Sequence, residues 1–144
     1  MSTQYSTRLK EMVEKFSLEI LHQATDYDKV CLTVEDVSRP GLQLAGFFDH
    51  FAPMRLQVMG NVEASYLAKL SEAERAITYD RLLSYKFPAF LVARDLPVDP
   101  QLLEMAKKHN VTLLRSREAT STIVSAIITY LRQPWPPESP AMRC

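Results

Sequence analysis

The chain has 144 residues, of which 47% are hydrophobic and 24% charged, and this composition is typical of one globular domain able to bury its own core. Its 17 basic and 17 acidic side chains cancel, so we expect no nucleic-acid partner and no anionic membrane surface as a partner. No apolar run approaches the roughly 20 residues of a membrane-spanning helix, and the N-terminus carries no apolar signal region. We therefore expect a cytoplasmic protein.

The first third of the chain predicts one helix followed by two short strands. Apolar residues recur at the helical spacing from Leu9 to Phe16, which predicts a helix over about 7–16 with Thr7 as its cap. Apolar and polar residues then alternate around 18–20 and again over 30–34, the period of half-buried strands.

The two cysteines occupy very different sequence contexts. Cys31 lies in a predicted strand, whereas Cys144 ends a proline-rich segment. A bridge between a core strand and a terminus is disfavoured on these grounds, so we predict reduced thiols and a buried, unreactive Cys31.

Residues 55–131 alternate regularly between strand and helix patterns. Strands are predicted at 56–59, 89–93 and 111–114, with helical residues at 61–85, at 100–109 and after 118. Because parallel strands need helical crossovers, this order predicts a βαβαβα unit. The predicted fold class is α/β, a three-layer α/β/α arrangement around a small, mostly parallel sheet.

The last helix has two apolar faces, one containing Ile123 and Ile127 and the other Val124 and Ile128. Two explanations remain open, burial within this domain or burial against another domain or subunit. After the helix, PWPPESPAMRC contains four of the nine prolines and cannot extend it. We predict a domain over 1–133 and a proline-rich tail or linker over 134–144.

Five common catalytic and cofactor motifs are absent from the sequence. It contains no GxxxxGK[ST], GxGxxG, HExxH, CxxC or GxSxG, and its three glycines cannot form a phosphate-binding loop. The three histidines lie in separate segments without the spacing of metal ligands. We therefore predict no catalytic residue, no metal site and no cofactor in this chain.

A candidate ligand site comes from the predicted topology. Ligands of open parallel sheets bind beyond the carboxyl ends of the strands. The predicted strand ends and the start of the last helix place five polar side chains at this edge, and a helix N-terminus favours an anion; they are Arg94, Arg115, Ser116, Arg117 and Thr120. The alternative is that the arginines pair with Asp95 and Glu118 in solvated loops.

Several segments together resemble one known family. LKEMVEKFSLEIL, SRPGLQLAGFFDHF, RLQVMGNVE and RLLSYKFPAFLVARDL, over about residues 7–132, are similar to the N-terminal domain of HPr kinase/phosphorylase. In that family this domain precedes a P-loop kinase domain that phosphorylates and dephosphorylates a serine of HPr in bacterial carbon-catabolite control, and the protein is a hexamer.

The resemblance implies a non-catalytic regulatory or assembly domain. Its implied partners are the C-terminal kinase domain or other subunits, with HPr contacted only indirectly and a homo-oligomer possible. ATP and magnesium belong to the kinase domain, whose motifs this sequence lacks. The chain alone is therefore not expected to transfer phosphate.

The family's domain is also similar in fold to the first domain of the Mur ligases, which helps to hold a uridine nucleotide. Ser38, Arg39 and Gly41 are where that analogy falls, immediately after a predicted strand. Gly41 permits a sharp turn, and the turn leaves Arg39 available for a ligand. A free-standing binding domain for an anion or a nucleotide is thus the second functional hypothesis.

Overall fold

The computed structural model describes residues 7–32, 37–38, 56–85 and 87–131, with the backbone alone for Val37–Ser38. Five helices lie in these ranges: α1 (Leu9–Lys15), α2 (Asn61–Ala68), α3 (Glu72–Leu83), α4 (Pro100–His109) and α5 (Thr120–Leu131). Seven strands accompany them: β1 (Thr7–Arg8), β2 (Glu19–His22), β3 (Cys31–Leu32), β4 (Val37–Ser38), β5 (Leu56–Met59), β6 (Phe90–Val92) and β7 (Leu113–Arg115).

The main sheet has five strands in the order β2-β7-β6-β5-β4. Strands β4 to β7 run parallel to their neighbours, and β2 adds to β7 in the antiparallel direction. The first and last thirds of the chain therefore meet at one edge of the sheet. Strands β1 and β3 form a separate antiparallel pair.

Helices cover both faces of the main sheet. On one face, α1 and α5 pack against the sheet through a cluster that includes Met12, Leu91 and Ile127. On the other face, α2, α3 and α4 pack through a second cluster that includes Leu82 and Leu102. The three central strands are buried on both sides apart from Arg115 at the end of β7, which explains why their sequences are mostly apolar. This confirms the predicted three-layer α/β/α class with a mostly parallel sheet.

Local capping signals explain most helix boundaries. The predicted helical stretch 61–85 is two helices, and Ser71 and Glu74 form a reciprocal capping box at the start of α3. Asp99 caps α4 by accepting a hydrogen bond from the Gln101 backbone N–H. Asn110 ends the same helix in the left-handed conformation, with φ 56°.

The predicted cap of the first helix is wrong. Thr7 lies in β1, where it pairs with Leu32, and Arg8 occupies the cap position, where its side chain makes no capping hydrogen bond. The backbone of this segment satisfies its hydrogen bonds across a strand pair, so no hydroxyl cap forms. The strand patterns around 18–20 and 30–34 correspond to β2 and β3, although 33–36 lie outside the described residues.

The prediction of a reduced thiol at Cys31 is also wrong. Cys31 is disulfide-bonded, and its partner sulfur lies outside the described residues. The prediction assumed that Cys31 lies buried in a core strand. Cys31 is instead partly exposed, in the β1–β3 pair outside the main sheet.

The two apolar faces of α5 pack largely within this domain. Ile123 and Ile127 lie in the core, and Val124 packs against the same cluster from a partly buried position. The outer surface of α5 carries exposed hydroxyl side chains instead. Within the described ranges, no helix has the length and apolar character needed to cross a membrane.

Candidate functional site

The carboxyl edge of the sheet collects polar residues from three parts of the chain. Strands β6 and β7 end at Val92 and Arg115, and β2 begins at Glu19, which pairs directly with Arg115. The segments that leave these strand ends surround a cavity of about 550 Å³. Its lining residues are Phe16, Ser17, Glu19, Asp95, Arg115, Ser116, Arg117 and Glu118.

Arg115 is the best-connected side chain of this cavity. Its Nη2 lies 2.8 Å from Glu19 Oε2, and its Nε lies 2.8 Å from the same oxygen and 3.3 Å from Asp95 Oδ1. Its Nη1 also donates to the Leu96 carbonyl oxygen at 3.4 Å. Two carboxylates and a carbonyl therefore already occupy the guanidinium, which fixes β7 to β2 and to the turn after β6.

The turn after β6 has an unusual backbone. Arg94 and Asp95 both have positive φ, 61° and 52°, and the Leu96 N–H donates to the Ala93 carbonyl oxygen. Two successive left-handed residues form a type I′ turn, which glycine and asparagine normally occupy. Hydrogen bonds from Arg94 N to the Glu118 carbonyl and from Asp95 N to the Ser116 carbonyl hold it in place.

Ser116 serves the local structure of the cavity wall. It is buried, and its hydroxyl accepts a hydrogen bond from the Glu118 backbone N–H. Its own N–H donates to the Val92 carbonyl oxygen. This hydroxyl is therefore already used to shape the turn that leads into α5.

Thr120 lies apart from the cavity, against the end of β5. It is 7% exposed, and its Oγ1 has no hydrogen-bond partner among the described residues. A Cβ added to Gly60 would overlap Thr120 Oγ1 and would lie 3.0 Å from its Cγ2. The glycine thus lets the start of α2 approach the start of α5, and the contact leaves no space for a ligand between them.

The charged groups around the cavity are mixed. Arg94 and Arg117 are exposed and make no ion pair within the described part of the chain, so either guanidinium is able to receive an anion. Three carboxylates, those of Glu19, Asp95 and Glu118, offset them. In the ranges that the structure describes, no group of three or more potential metal ligands is present.

The structure thus brings together only part of the predicted site. Arg115, Ser116 and Arg117 line one cavity, and Arg94 lies in the turn beside it. Thr120 is at the start of α5, next to Gly60 instead.

The predicted nucleotide-loop residues fall at another strand. Ser38 ends β4, which lies beside β5 with Ser38 opposite Gln57. Arg39 and Gly41 lie outside the described residues. Because β4 and β5 are parallel, both strands end at the same edge of the sheet.

Three cavity residues come from a segment that sequence reasoning did not connect with the site. Phe16, Ser17 and Glu19 follow the first helix, roughly a hundred residues before Arg115. Ser17 has a left-handed backbone, with φ 51°, and ends the turn after α1. The opposite charges of Glu19 and Arg115 are the one usable signal, and that signal requires the β2–β7 register to be known first.

The family of the chain follows from a comparison with family models. The model described as HPr Serine kinase N terminus matches residues 7–131, which include every helix and strand among the described residues. The chain belongs to this family. The resemblance found in the sequence is confirmed, and the HPr serine kinase N-terminal family covers the complete described domain.

Proteins named HPr kinase/phosphorylase are among its curated relatives. That of Caldanaerobacter subterraneus subsp. tengcongensis is 36% identical over 130 residues, and that of Clostridium perfringens strain SM101 is 37% identical over 131 residues. These matches cover 90% and 91% of this chain but 42% of each relative. The chain therefore spans less than half the length of the relatives it matches.

One solved structure has a similar fold. It contains the CBS and DRTGG domains of the regulatory region of Clostridium perfringens pyrophosphatase, in complex with the activator diadenosine tetraphosphate. The TM-score is 0.61 at 17% sequence identity, and the match covers 87% of this chain and 47% of that one. At this identity the HPr serine kinase N-terminal domain shares the fold alone with that protein.

Proposed function

We propose that this chain acts as a non-catalytic regulatory or assembly domain of an HPr serine kinase/phosphorylase system in bacterial carbon-catabolite control. The observation that supports this proposal most is the family match over 7–131, combined with relatives of which it covers 42%. Phosphoryl transfer would need a phosphate-binding loop and converging reactive groups, and the sequence contains no GxxxxGK[ST]. The proposed partners are the kinase domain or other subunits, with HPr reached through them.

Exposed apolar side chains on α2 support a role in assembly. Val62 and Tyr66 are one turn apart on this helix and are 69% and 38% exposed. Large apolar side chains that share an exposed helix face are typical of surfaces that contact another protein. Ile77 on α3 is equally exposed, at 68%, and serves as a comparison position.

A phosphorylation assay tests the non-catalytic part of the proposal. The purified chain is incubated with ATP, magnesium and HPr, and phosphoserine on HPr is measured by mass spectrometry. The HPr kinase/phosphorylase of Caldanaerobacter subterraneus serves as the positive control. We expect no phosphoserine above background from the chain alone, and sustained turnover that co-purifies with it would refute the proposal.

A binding assay tests the assembly part. The chain and the full-length Caldanaerobacter enzyme are mixed and examined by sedimentation velocity and by the kinase and phosphorylase rates. We expect a complex or a changed rate, which a Val62→Asp substitution weakens and an Ile77→Asp substitution does not. If the sedimentation and both rates of the enzyme stay unchanged at every ratio of the two proteins, the result counts against an assembly role.

The cavity at the carboxyl edge favours a second function, a free-standing domain for a small anion or nucleotide. Arg94 and Arg117 supply unpaired positive charge beside the cavity, and Arg115 and Ser116 shape its wall.

A ligand present at about 100 times its dissociation constant stabilises a fold by about 2.7 kcal/mol. A thermal-shift screen with phosphate, sugar phosphates and nucleotides tests this hypothesis. Amide NMR shifts at 115–122 would locate the ligand, and no response at millimolar phosphate would remove the anion site.

A further inference from the structure

A second cavity lies between the end of α1 and the outer surface of α5, and it shares Phe16 with the cavity at the carboxyl edge. Its volume is about 810 Å³, and apolar atoms provide most of its wall. We call it the α1–α5 groove; its lining residues are Lys15, Phe16, Ser121, Thr122, Ser125, Ala126, Thr129 and Tyr130.

The groove has an apolar centre and a polar rim. Phe16 and Tyr130 meet edge to face, with ring centroids 5.5 Å apart, and Ala126 leaves space beside them. Burial, with a smaller contribution from Glu11, raises the pKa of Tyr130, so its phenol stays neutral. Exposed hydroxyls of α5 form the rim together with Lys15. This distribution is typical of a surface that binds a polypeptide.

The chain itself supplies a segment of the matching chemistry. Residues 132–144 follow α5 directly and contain Trp135, the only tryptophan, between prolines. The segment also has two PxxP spacings, at 134–137 and 137–140. Proline-rich extended segments bind in grooves lined by aromatic side chains, because their extended form is already ordered before binding.

The length of this segment fits the groove, and its one acidic side chain can meet Lys15, although the segment also contains Arg132 and Arg143. Trp135 is four residues beyond Leu131, and four extended residues span about 13 Å. If the segment folds back along α5, this distance corresponds to the length of about nine helical residues. Glu138 is the only acidic residue of 132–144, and Lys15 has no ion pair within the described part of the chain. Covalent attachment gives the segment an effective concentration in the millimolar range.

The disulfide of Cys31 supports the same placement. The chain contains two cysteines, and Cys31 is bonded, so Cys144 is the partner that the sequence offers. Cys31 pairs in β3 with Arg8, immediately before α1. A bridge there would retain the end of the segment beside the helix that contributes Lys15 and Phe16.

We propose that the α1–α5 groove binds the chain's own segment 132–144, with Trp135 against Phe16 and Tyr130 and with Glu138 beside Lys15. This proposal is independent of the regulatory function proposed above, since it concerns the isolated chain. Its test therefore needs no enzyme and no HPr.

Fluorescence of Trp135 in the full chain tests the proposal. We expect emission shifted to shorter wavelength than in urea, with weak quenching by acrylamide. Ser125→Arg should fill the groove, shift the emission to longer wavelength and raise the quenching constant several-fold. Ser65→Arg is the matched control, because Ser65 is an exposed serine within α2 on the other layer, and it should change neither value. Circular dichroism confirms that both variants remain folded.

A charge exchange provides a second measurement. Lys15→Glu should raise the quenching constant by repelling Glu138, and addition of Glu138→Lys should restore it. Urea-like emission from the unmodified chain, or equal changes in the two serine variants, would overturn the proposal. Shielding that disappears on dilution would assign the groove to a second copy, and that result also overturns the proposal.

Discussion

The contact between α3 and α4, called here the α3–α4 layer, and the carboxyl edge of the sheet each contain a network of polar side chains around one charged residue. The two networks differ in how far apart in sequence their contacting residues lie. In the α3–α4 layer, Asp99 accepts hydrogen bonds from Gln101 N and Tyr79 Oη and lies 3.4 Å from Arg75 Nε. Burial, followed by the nearby Asp99, raises the pKa of Tyr79. At the carboxyl edge, Arg115 joins Glu19 across 96 positions of sequence.

This difference shows where local sequence determines structure and where it does not. The residues that cap α3 and α4 lie within four residues of each helix start, so a substitution of a cap acts mainly at the start of its own helix. The carboxyl edge depends on Gly60, Arg94 and Arg115 meeting partners from distant segments. Substitutions at the two regions should therefore differ in size and in dependence on salt.

The largest effect is expected at Gly60. In Gly60→Ala the new methyl would overlap Thr120, whose side chain is short and buried, and alanine is also a poor helix cap. We expect a loss of about 3 kcal/mol in the free energy of unfolding, measured with urea. Adding Thr120→Ala should recover part of the loss, and an additive pair of substitutions would contradict the proposed overlap.

Asp99→Ala should have the next largest effect. It removes the cap of α4 and leaves the Tyr79 hydroxyl and the Arg75 guanidinium without their shared acceptor. We expect a loss of about 2 kcal/mol by urea unfolding, with little change between low and high salt. Asp99→Asn keeps a capping oxygen and should lose clearly less; if both variants lose equally, the cap is not the main contribution.

Arg115→Gln should cost about 1 kcal/mol, because the side chain is 24% exposed and its carboxylate partners are about half exposed. The loss should shrink at high salt. Lys10→Gln is the control, since Lys10 lies 3.9 Å from Asp28 and both side chains are exposed. No measurable loss is expected there, and equal losses for the two variants would remove the distinction between them.

Arg94→Gly should have the smallest effect and the opposite sign. Glycine relieves the left-handed strain at φ 61° but adds freedom to the unfolded chain, so we expect a gain of about 0.5 kcal/mol. Ala73→Gly, at an exposed position of α3, should instead lose about 0.5–1 kcal/mol. A loss at Arg94 would show that its side chain contributes more than the strain costs.

The same contrast explains how far the sequence could predict this molecule. The alternation over 55–131 was sufficient for the three-layer class, since the period of each element depends on neighbours in sequence. Thr7 was misassigned because its backbone pairs with Leu32, a contact that no local pattern indicates. The strand that ends at Arg115 was predicted to begin two residues early and to end one residue early for the same reason, because its register is fixed by β2 and β6.

The candidate site was predictable only in part. Parallel topology was sufficient to place Arg115, Ser116 and Arg117 at one edge. It could not show that Glu19 and Asp95 would occupy the Arg115 guanidinium, since side-chain pairing depends on the register of an antiparallel strand from the first third of the chain. Arg39 and Gly41 remain predictions.

The antiparallel addition of β2 to β7 also sets an order of events during synthesis. Ile20 emerges from the ribosome long before Leu114, its partner in the finished sheet. Until the last strand is made, β2 has no neighbour, and its apolar residues stay open to chaperones or to wrong pairing. The growing chain can therefore complete its sheet only when translation of the domain is nearly finished.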